Sequence, residues 1–205
     1  RTLQTWTPSL MAADEGLTAP AQVNYVGKAA NLFDLGYELD GSSAVITRYL
    51  ATTWLWDKVR VQGGAYGAFC SFDPFSGVLS YVSYRDPNVL ETLGIYDGSG
   101  GFLREHAIND DELTKAIIGT IGDFDSYQLP DAKGYTSMIR HLTGIDTGYR
   151  QKMRDEVLAT SAERFGTFAA VLDQVGAKGR VAVLGSAEAI EAAGESRELT
   201  PVKVM

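Results

Sequence analysis

The residues most able to do chemistry lie in one short stretch, RVQGGAYGAFC. Arg60 and Tyr66 are six residues apart, with the paired glycines Gly63 and Gly64 between them. Arginine offers a rigid fork of donors, tyrosine offers one movable hydroxyl, and paired glycines let a backbone approach another chain and expose its N–H groups. Such a set can hold a peptide carbonyl or stabilise an oxyanion. Composition alone favours a simpler alternative, a glycine-rich bend with Arg60 salt-bridged outward and Tyr66 packed on a sheet.

Other catalytic signatures are missing from the sequence. It contains no GxGxxG turn or GxxxxGK[ST] loop for phosphate, no GxSxG elbow for a serine nucleophile, and no HxxEH or HExxH motif for zinc. The two histidines, His106 and His141, lie outside any such motif, and His141 is expected on a helix surface or hydrogen-bonded in the interior. Cys70 lies in an alternating aromatic run, which favours a buried and inert thiol over a reactive one.

Composition and charge narrow the class of protein. The chain has 205 residues, 45% of them hydrophobic, which suits one large globular domain or two small ones. Its 26 acidic and 18 basic side chains give a net charge of −8, which would repel a nucleic-acid backbone. No apolar run approaches the length that spans a bilayer, so no membrane partner is expected. The start on Arg1, without an initiator methionine or a secretory signal, suggests a piece of a longer protein.

Hydrophobic periodicity and turn residues predict the elements around the loop. Alternation predicts a hairpin of Gly67–Phe72 and Val78–Tyr84 around the turn DPFSG, directly after the loop. A helix beginning near Asp40 or Ser42 is predicted to end near Val59, directly before it. The remaining predicted elements are strands over 21–26, 180–185 and 201–204 and helices over 89–103, 110 to 119 or 122, 135–142, 147–172 and 186–193.

This order of elements predicts an α+β fold. A single, mostly antiparallel or mixed sheet covered on one face by helices accommodates the order better than a doubly wound βαβ repeat. No internal repeat or clear linker divides the chain. Residues 1–20 are therefore predicted to be a lead-in segment, and residues 21–205 one domain.

Four longer strings carry a resemblance to a known family. They are TWLWDKVRVQGGAYGAFCSFD, VSYRDPNVLETLGIYDG, LTKAIIGTIGDFDSYQLPDAKGY and VAVLGSAEAIEAA. Together they closely resemble the last domain of the presequence-protease group within the pitrilysin and insulin-degrading-enzyme family of zinc metallopeptidases. The resemblance runs from about Gln22 to the C-terminus, and the strings are too long for chance similarity.

The resemblance implies an enzyme of two halves that close into a chamber around an unfolded peptide. Its zinc motif lies in the first domain, upstream of this chain, so zinc is expected in the full-length enzyme and none in this part. By motif, the catalytic arginine and tyrosine that reach across the chamber fall on Arg60 and Tyr66, with Gly63 and Gly64 shaping the substrate-binding loop. The resemblance assigns no catalytic role to SYRDPN or GDFDSYQLPDAKGY, which are expected to pack between domains or line the chamber.

The function implied is the C-terminal, substrate-enclosing domain of a zinc metalloendopeptidase that degrades short unstructured peptides, including cleaved mitochondrial or plastid targeting peptides. Its expected partners are these peptides and the N-terminal half of the same enzyme, which is expected to be monomeric. An acidic domain would attract basic targeting peptides. The compartment implied is the mitochondrial matrix, the chloroplast stroma or both, with a bacterial cytoplasm left open. A non-catalytic structural or binding subunit related to these peptidases is the alternative.

Overall fold

The computed structural model describes residues 14–204. Its strands are β1 (Glu15–Thr18), β2 (Asn24–Asn31), β3 (Gly67–Phe72), β4 (Val78–Asp86), β5 (Arg180–Gly185) and β6 (Thr200–Lys203). Its α-helices are α1 (Ser42–Thr52), α2 (Leu90–Asp97), α3 (Ser99–Glu105), α4 (Asp110–Phe124), α5 (Pro130–Thr143), α6 (Thr147–Leu158), α7 (Ala162–Lys178) and α8 (Ala187–Gly194). A π-helical segment, Trp56–Gln62, lies between α1 and β3.

The strands form one mixed sheet in the order β3-β4-β2-β5-β1-β6. The pairs from β3 to β5 are antiparallel, whereas β1 pairs in parallel with both β5 and β6. The predicted hairpin of β3 and β4 is confirmed, with Phe69 opposite Val82 and Phe72 opposite Leu79. The predicted last strand is also confirmed at the edge of the sheet, as β6.

Alternation along the strands gives the sheet two different faces. One face carries the buried side chains Val26, Leu79, Tyr81 and Val183 and is covered by helices, among them α1, which contacts β3, and α7, which contacts β2. Lys28 also points to this covered face, where its fully buried ammonium pairs with Asp97 and donates to the carbonyl of Gly176 at 2.6 Å. The predicted α+β sheet with helices on one face is confirmed.

Three predicted helices are divided in the structure. The helix predicted over 89–103 divides at Gly98 into α2 and α3. The other two divide where hydroxyl side chains compete for backbone carbonyls, at Thr53 and at Thr160. The first helix ends at Thr52, because Thr53 leaves helical geometry while its hydroxyl donates to the Tyr49 carbonyl at 2.6 Å. The chain then winds as a π-helix through Val59, where the predicted helix was to end. The helix predicted over 147–172 divides into α6 and α7, since Ser161 adopts an extended conformation as the N-cap of α7.

The segment predicted to be a lead-in contains a strand of the sheet. Strand β1 lies between β5 and β6, and the Asp14 carboxylate accepts hydrogen bonds from the backbone N–H of Val181 at 2.9 Å and from Nε of Arg197 at 2.8 Å. The short run EGLT has too little alternation to stand out in the sequence. The rest of the predicted lead-in, residues 1–13, lies outside the described residues.

Candidate functional site

Arg60 projects from the π-helical segment, and two contacts hold its guanidinium. The Cζ atom lies 3.9 Å from the centre of the Trp56 ring, and Nε donates to the carbonyl oxygen of Tyr66 at 3.0 Å. The first contact is a cation–π stack and the second crosses the loop. π-Helical turns are rare and recur at functional sites. Winding this segment as a π-helix therefore sets where Arg60 leaves the backbone relative to Tyr66.

Gly63 and Gly64 have different roles in the turn after the π-helix. Gly64 adopts a φ of +81°, a left-handed conformation that favours glycine. At Gly63 a Cβ atom would lie 2.6 Å from the carbonyl oxygen of Val59, so a side chain would not fit without a shift. Both glycines thus permit a tight return of the chain toward β3.

The backbone N–H groups of this loop are already used inside the protein. Those of Gly63 and Gly64 donate to the carbonyls of Lys58 and Arg60, at 3.0 and 3.1 Å. Those of Ala65 and Tyr66 donate to Val59 and Arg85, at 3.1 and 3.3 Å. The N–H donors that the glycines were expected to expose are therefore occupied, and the chemistry of the loop rests on side chains.

Tyr66 stands at the entrance to β3 with 60% of its surface exposed. Its ring packs edge-on against Tyr84, with 5.3 Å between centroids, and Tyr84 in turn stacks on Phe69 at 6.0 Å. Arg60 and Tyr66 line a shallow cleft of about 470 Å³. The other residues lining it are Val61, Gly64, Ala65 and Arg85.

The face of the sheet not covered by helices continues from this cleft. Tyr25, Phe69 and Val82 point to it with 40 to 53% of their surfaces exposed. Tyr25 pairs with Tyr84 across β2 and β4, so the aromatic side chains form a continuous patch beside Tyr66. Alternation along the sequence predicts these strands, but it does not by itself show that the exposed side chains form one surface.

The segment SYRDPN, which the sequence analysis left without a catalytic role, anchors the loop. The amide Nδ2 of Asn88 donates to the carbonyl of Gly63 at 2.7 Å. Asp86 is fully buried, and its carboxylate accepts from the hydroxyls of Ser83 and Thr92 at 2.6 and 2.8 Å and from the backbone N–H of Asn88 at 2.9 Å. This network connects the end of β4 to the turn that holds Arg60 and Tyr66.

The remaining reactive side chains lie apart from the cleft. Residues 14–204 contain no group of three or more His, Cys, Asp or Glu side chains that could hold a metal. His106 lies 3.4 Å from the Glu112 carboxylate and stacks on Phe102, and His141 is exposed on α5, one of the two placements expected for it. Cys70 is buried, as predicted, and burial raises the pKa of its thiol.

Comparison with solved structures places this fold among the domains of pitrilysin-type peptidases. A protease from Helicobacter pylori matches with a TM-score of 0.63 at 16% identity, over 90% of this chain and 48% of that one. Pitrilysin matches with a TM-score of 0.59 at 11% identity, over 93% of this chain and 22% of that one.

Among the described residues, no helix has the length and apolar character needed to cross a membrane.

The family model of the PreP C-terminal domain matches residues 14–188, and the chain belongs to that family. It is 57% identical over 195 residues, or 95% of its length, to presequence protease 1, chloroplastic/mitochondrial, of Arabidopsis thaliana. It is 34% identical over 178 residues, or 87% of its length, to protein HypA of Clostridium perfringens. The chain spans 18% of the length of each of these relatives. The resemblance found in the sequence is thereby confirmed.

Proposed function

We propose that this chain is the C-terminal, substrate-enclosing domain of a zinc metalloendopeptidase that degrades short unstructured peptides, cleaved targeting peptides among them. The observation that carries the proposal is the contact of Arg60 with Tyr66, at 3.0 Å, beside an exposed aromatic face of the sheet. A guanidinium and a phenol at one cleft suit a peptide carbonyl, and an aromatic surface suits peptide side chains. Membership of the PreP C-terminal domain family supports the same function.

In this proposal, the hydroxyl of Tyr66 donates a hydrogen bond to the carbonyl oxygen that becomes negative when the peptide bond is attacked. Arg60 orients the substrate and adds positive charge at the same oxygen. The Trp56 stack and the bond to the Tyr66 carbonyl fix the guanidinium before the substrate arrives, which lowers the cost of ordering it.

When bound, the zinc proposed for the full-length enzyme would supply Lewis-acid chemistry for the scissile carbonyl and for water. The described residues of this chain do not fit such a site, because they gather no set of metal-binding side chains. The metal would therefore be held by residues outside residues 14–204, and no step at the metal is assigned to this chain. We expect the isolated 205 residues to hydrolyse no peptide. Robust zinc-dependent peptidase activity in them would overturn this assignment.

The partner proposed is the remainder of the same enzyme, and α5 offers a surface for it. None of the residues in α5 is buried, although the helix is amphipathic. Its exposed apolar side chains include Tyr135, Met138 and Leu142, with 50 to 72% of their surfaces accessible. An exposed apolar stripe of this kind marks an interaction surface. The Arabidopsis and Clostridium relatives are each about five times as long as this chain, and the corresponding segments of the full-length enzyme would cover this surface.

The proposal is tested by Tyr66→Phe in the full-length enzyme, with Tyr149→Phe as the matched control. Tyr149 lies on α6, away from the cleft and outside the segments expected to line the chamber, and both changes remove only a hydroxyl. Loss of one oxyanion donor lowers kcat about 100-fold, while KM for a fluorogenic peptide should stay within about threefold, because the hydroxyl acts on the transition state. The control should leave both constants unchanged. An unchanged kcat in Tyr66→Phe would refute the catalytic role and favour packing.

The alternative function is a non-catalytic structural or binding subunit. The fold does not discriminate, since one solved structure with this fold is described as the inactive peptidase domain of a putative zinc protease from Bordetella parapertussis. Arg60 and Tyr66 together favour the peptidase. Sequencing the coding region upstream decides between them, because an HxxEH motif with a downstream glutamate indicates a peptidase and its absence a scaffold.

The location proposed is the mitochondrial matrix, the chloroplast stroma or both, following the name of the Arabidopsis relative. The similarity to HypA of Clostridium perfringens makes a bacterial cytoplasm the alternative. Imaging of the full-length protein with a C-terminal fluorescent tag in its own host discriminates between an organelle and the bacterial cytoplasm. If the host is a bacterium, which has neither mitochondria nor plastids, the organellar location is excluded.

A further inference from the structure

Arg85 has a backbone conformation that its residue type disfavours. Its φ is +49°, and it is the only residue other than glycine with a positive φ in the part of the chain that the structure describes. Left-handed geometry is adopted readily by glycine and, to a lesser degree, by asparagine. Strained residues of this kind cluster at functional sites, where the surrounding structure holds them in place. We therefore expect the side chain of Arg85 to have a function that offsets the cost of this backbone conformation.

The surrounding structure holds Arg85 in place through a β-bulge. In the register of β2 with β4, Asn24 pairs with Asp86 and Tyr25 pairs with Tyr84, so Arg85 is the extra residue on β4. The next residue is fixed on both sides, because the Asp86 carboxylate is buried in its hydrogen-bond network and the Asp86 carbonyl accepts from Nδ2 of Asn24 at 3.1 Å. Bulges of this kind re-aim a side chain and recur next to active sites.

The bulge directs Arg85 to the cleft of Arg60 and Tyr66. Its Cζ atom lies 5.9 Å from the centre of the Tyr66 ring, and its carbonyl accepts the Tyr66 backbone N–H. The side chain is exposed, and no carboxylate of residues 14–204 lies within ion-pair distance of its guanidinium. Arg60 likewise has no carboxylate partner among these residues. Two guanidinium groups thus flank Tyr66 in a chain whose net charge is −8.

We infer that Arg85 is a specificity-determining residue that binds a carboxylate of the peptide substrate. The inference rests on the proposed peptidase function and adds a binding preference to the same cleft. Arg60 is already engaged by Trp56 and the Tyr66 carbonyl, whereas the Arg85 fork is open to a bidentate carboxylate, the group whose geometry it matches. The carboxylate belongs either to an acidic side chain near the scissile bond or to the C-terminus of a short peptide. Both sources present the same chemistry.

The test compares matched fluorogenic peptides with the full-length enzyme and its Arg85 variants. One pair differs by a single Glu→Gln change near the scissile bond, and a second pair differs by a free or an amidated C-terminus. Arg85→Asn and Arg85→Gly both remove the guanidinium and accept the left-handed backbone, so the bulge should persist. Arg85→Lys keeps the charge and loses the fork. Thermal unfolding of each variant, compared with the unmodified enzyme, reports whether the fold is retained.

The expected result is a preference of the unmodified enzyme for the carboxylate member of one pair. Arg85→Asn and Arg85→Gly should raise KM for that member about tenfold, which corresponds to about 1.4 kcal/mol, with kcat nearly unchanged and the uncharged member unaffected. Arg85→Lys should retain part of the preference. The melting temperature should not fall in Arg85→Gly, because the backbone strain is relieved. The pair that responds identifies the source of the carboxylate.

Two results would overturn the inference, and they are distinguishable from each other. In the first result, the unmodified enzyme cleaves the peptides, but in neither pair is there a preference for the carboxylate member that Arg85→Asn and Arg85→Gly abolish. Arg85 then does not bind a carboxylate, and the peptidase function stands. If the unmodified enzyme, loaded with zinc, cleaves none of the peptides, the proposed function fails and the inference fails with it.

Discussion

The buried carboxylate of Asp86 should be one of the most sensitive positions in the domain, and Asp86→Ala measures its contribution. The side chain has no exposed surface and accepts three hydrogen bonds, from Ser83, Thr92 and the backbone of Asn88. Alanine removes the acceptor and leaves these donors in place. Ser83 is fully buried and Thr92 nearly so, and therefore neither hydroxyl can turn to bulk water.

The expected magnitude follows from the donors left without a partner. Each buried polar group that loses its partner costs about 1 to 3 kcal/mol, and hydrogen bonds to a charged group lie at the upper end of the usual range. The three contributions are not additive, since the hydroxyls share one acceptor. We expect Asp86→Ala to lower the free energy of unfolding by about 4 kcal/mol, a large part of the 5 to 15 kcal/mol typical of native proteins.

Urea unfolding of the 205-residue chain, followed by tryptophan fluorescence, measures this loss. With an m-value of about 2 kcal/mol/M, a loss of 4 kcal/mol moves the midpoint down by about 2 M. Asp173→Ala is the matched control, because Asp173 accepts two hydrogen bonds from Arg104 at 2.6 and 3.0 Å but is about half exposed. An exposed ion pair contributes at most about 1 kcal/mol, so the control should shift the midpoint by less than about 0.5 M.

The comparison would refute the reasoning if Asp86→Ala shifted the midpoint no further than Asp173→Ala. That result would mean that the hydroxyls of Ser83 and Thr92 find other acceptors, and that the network does not hold the bulge at Arg85. Asp86→Asn keeps the size of the side chain and one acceptor oxygen, and it should lie between the two.

Two further predictions concern single side chains. Trp56→Ala removes the stack on Arg60, worth about 0.5 to 1 kcal/mol at an exposed site, and should lower kcat/KM of the full-length enzyme about two- to fivefold. Trp56→Phe should recover most of that loss, and equal kcat/KM values in both variants and the unmodified enzyme would contradict the positioning role. Because burial raises the pKa of Cys70, the native chain should react with a thiol reagent only as fast as it unfolds. Stability should fall as the pH rises above 9.0, the ordinary value at which an unfolded thiol loses its proton, and fast labelling at pH 7 would contradict the burial.

Local patterns predicted much of the fold because their physical causes are local. The hairpin of β3 and β4 follows from alternation around DPFSG, and α8 follows from Ser186, whose hydroxyl accepts from the Ala189 N–H at 3.1 Å. Strand β1 was missed because its place is set by partners far along the chain, with Glu15 opposite Ala182 and Thr200. Four residues carry too little periodicity to reveal such pairing.

Arg60 and Tyr66 could be selected from the sequence, and their catalytic role stays a prediction. Their contact depends on a π-helical turn, whose signal in the sequence is weak, because the hydroxyl of Thr53 and the glycines after Gln62 each permit several conformations. The same winding consumes the N–H groups that paired glycines were expected to expose. A glycine pair indicates that the backbone can turn sharply. Which donors remain free depends on carbonyls that only the folded chain brings near.

The bulge at Arg85 shows why a motif without an assigned role can complete a site. The position of the β-bulge is decided by the pairing of β2 with β4, two strands that are distant in the sequence. The one extra residue on β4 changes which side chain faces the cleft. The string SYRDPN contains the buried acid, the strained arginine and the asparagine that holds Gly63. None of these three residue types signals a functional site in isolation. Their joint effect is to bring a second guanidinium to Tyr66, and the proposed preference for a carboxylate in the substrate rests on that geometry.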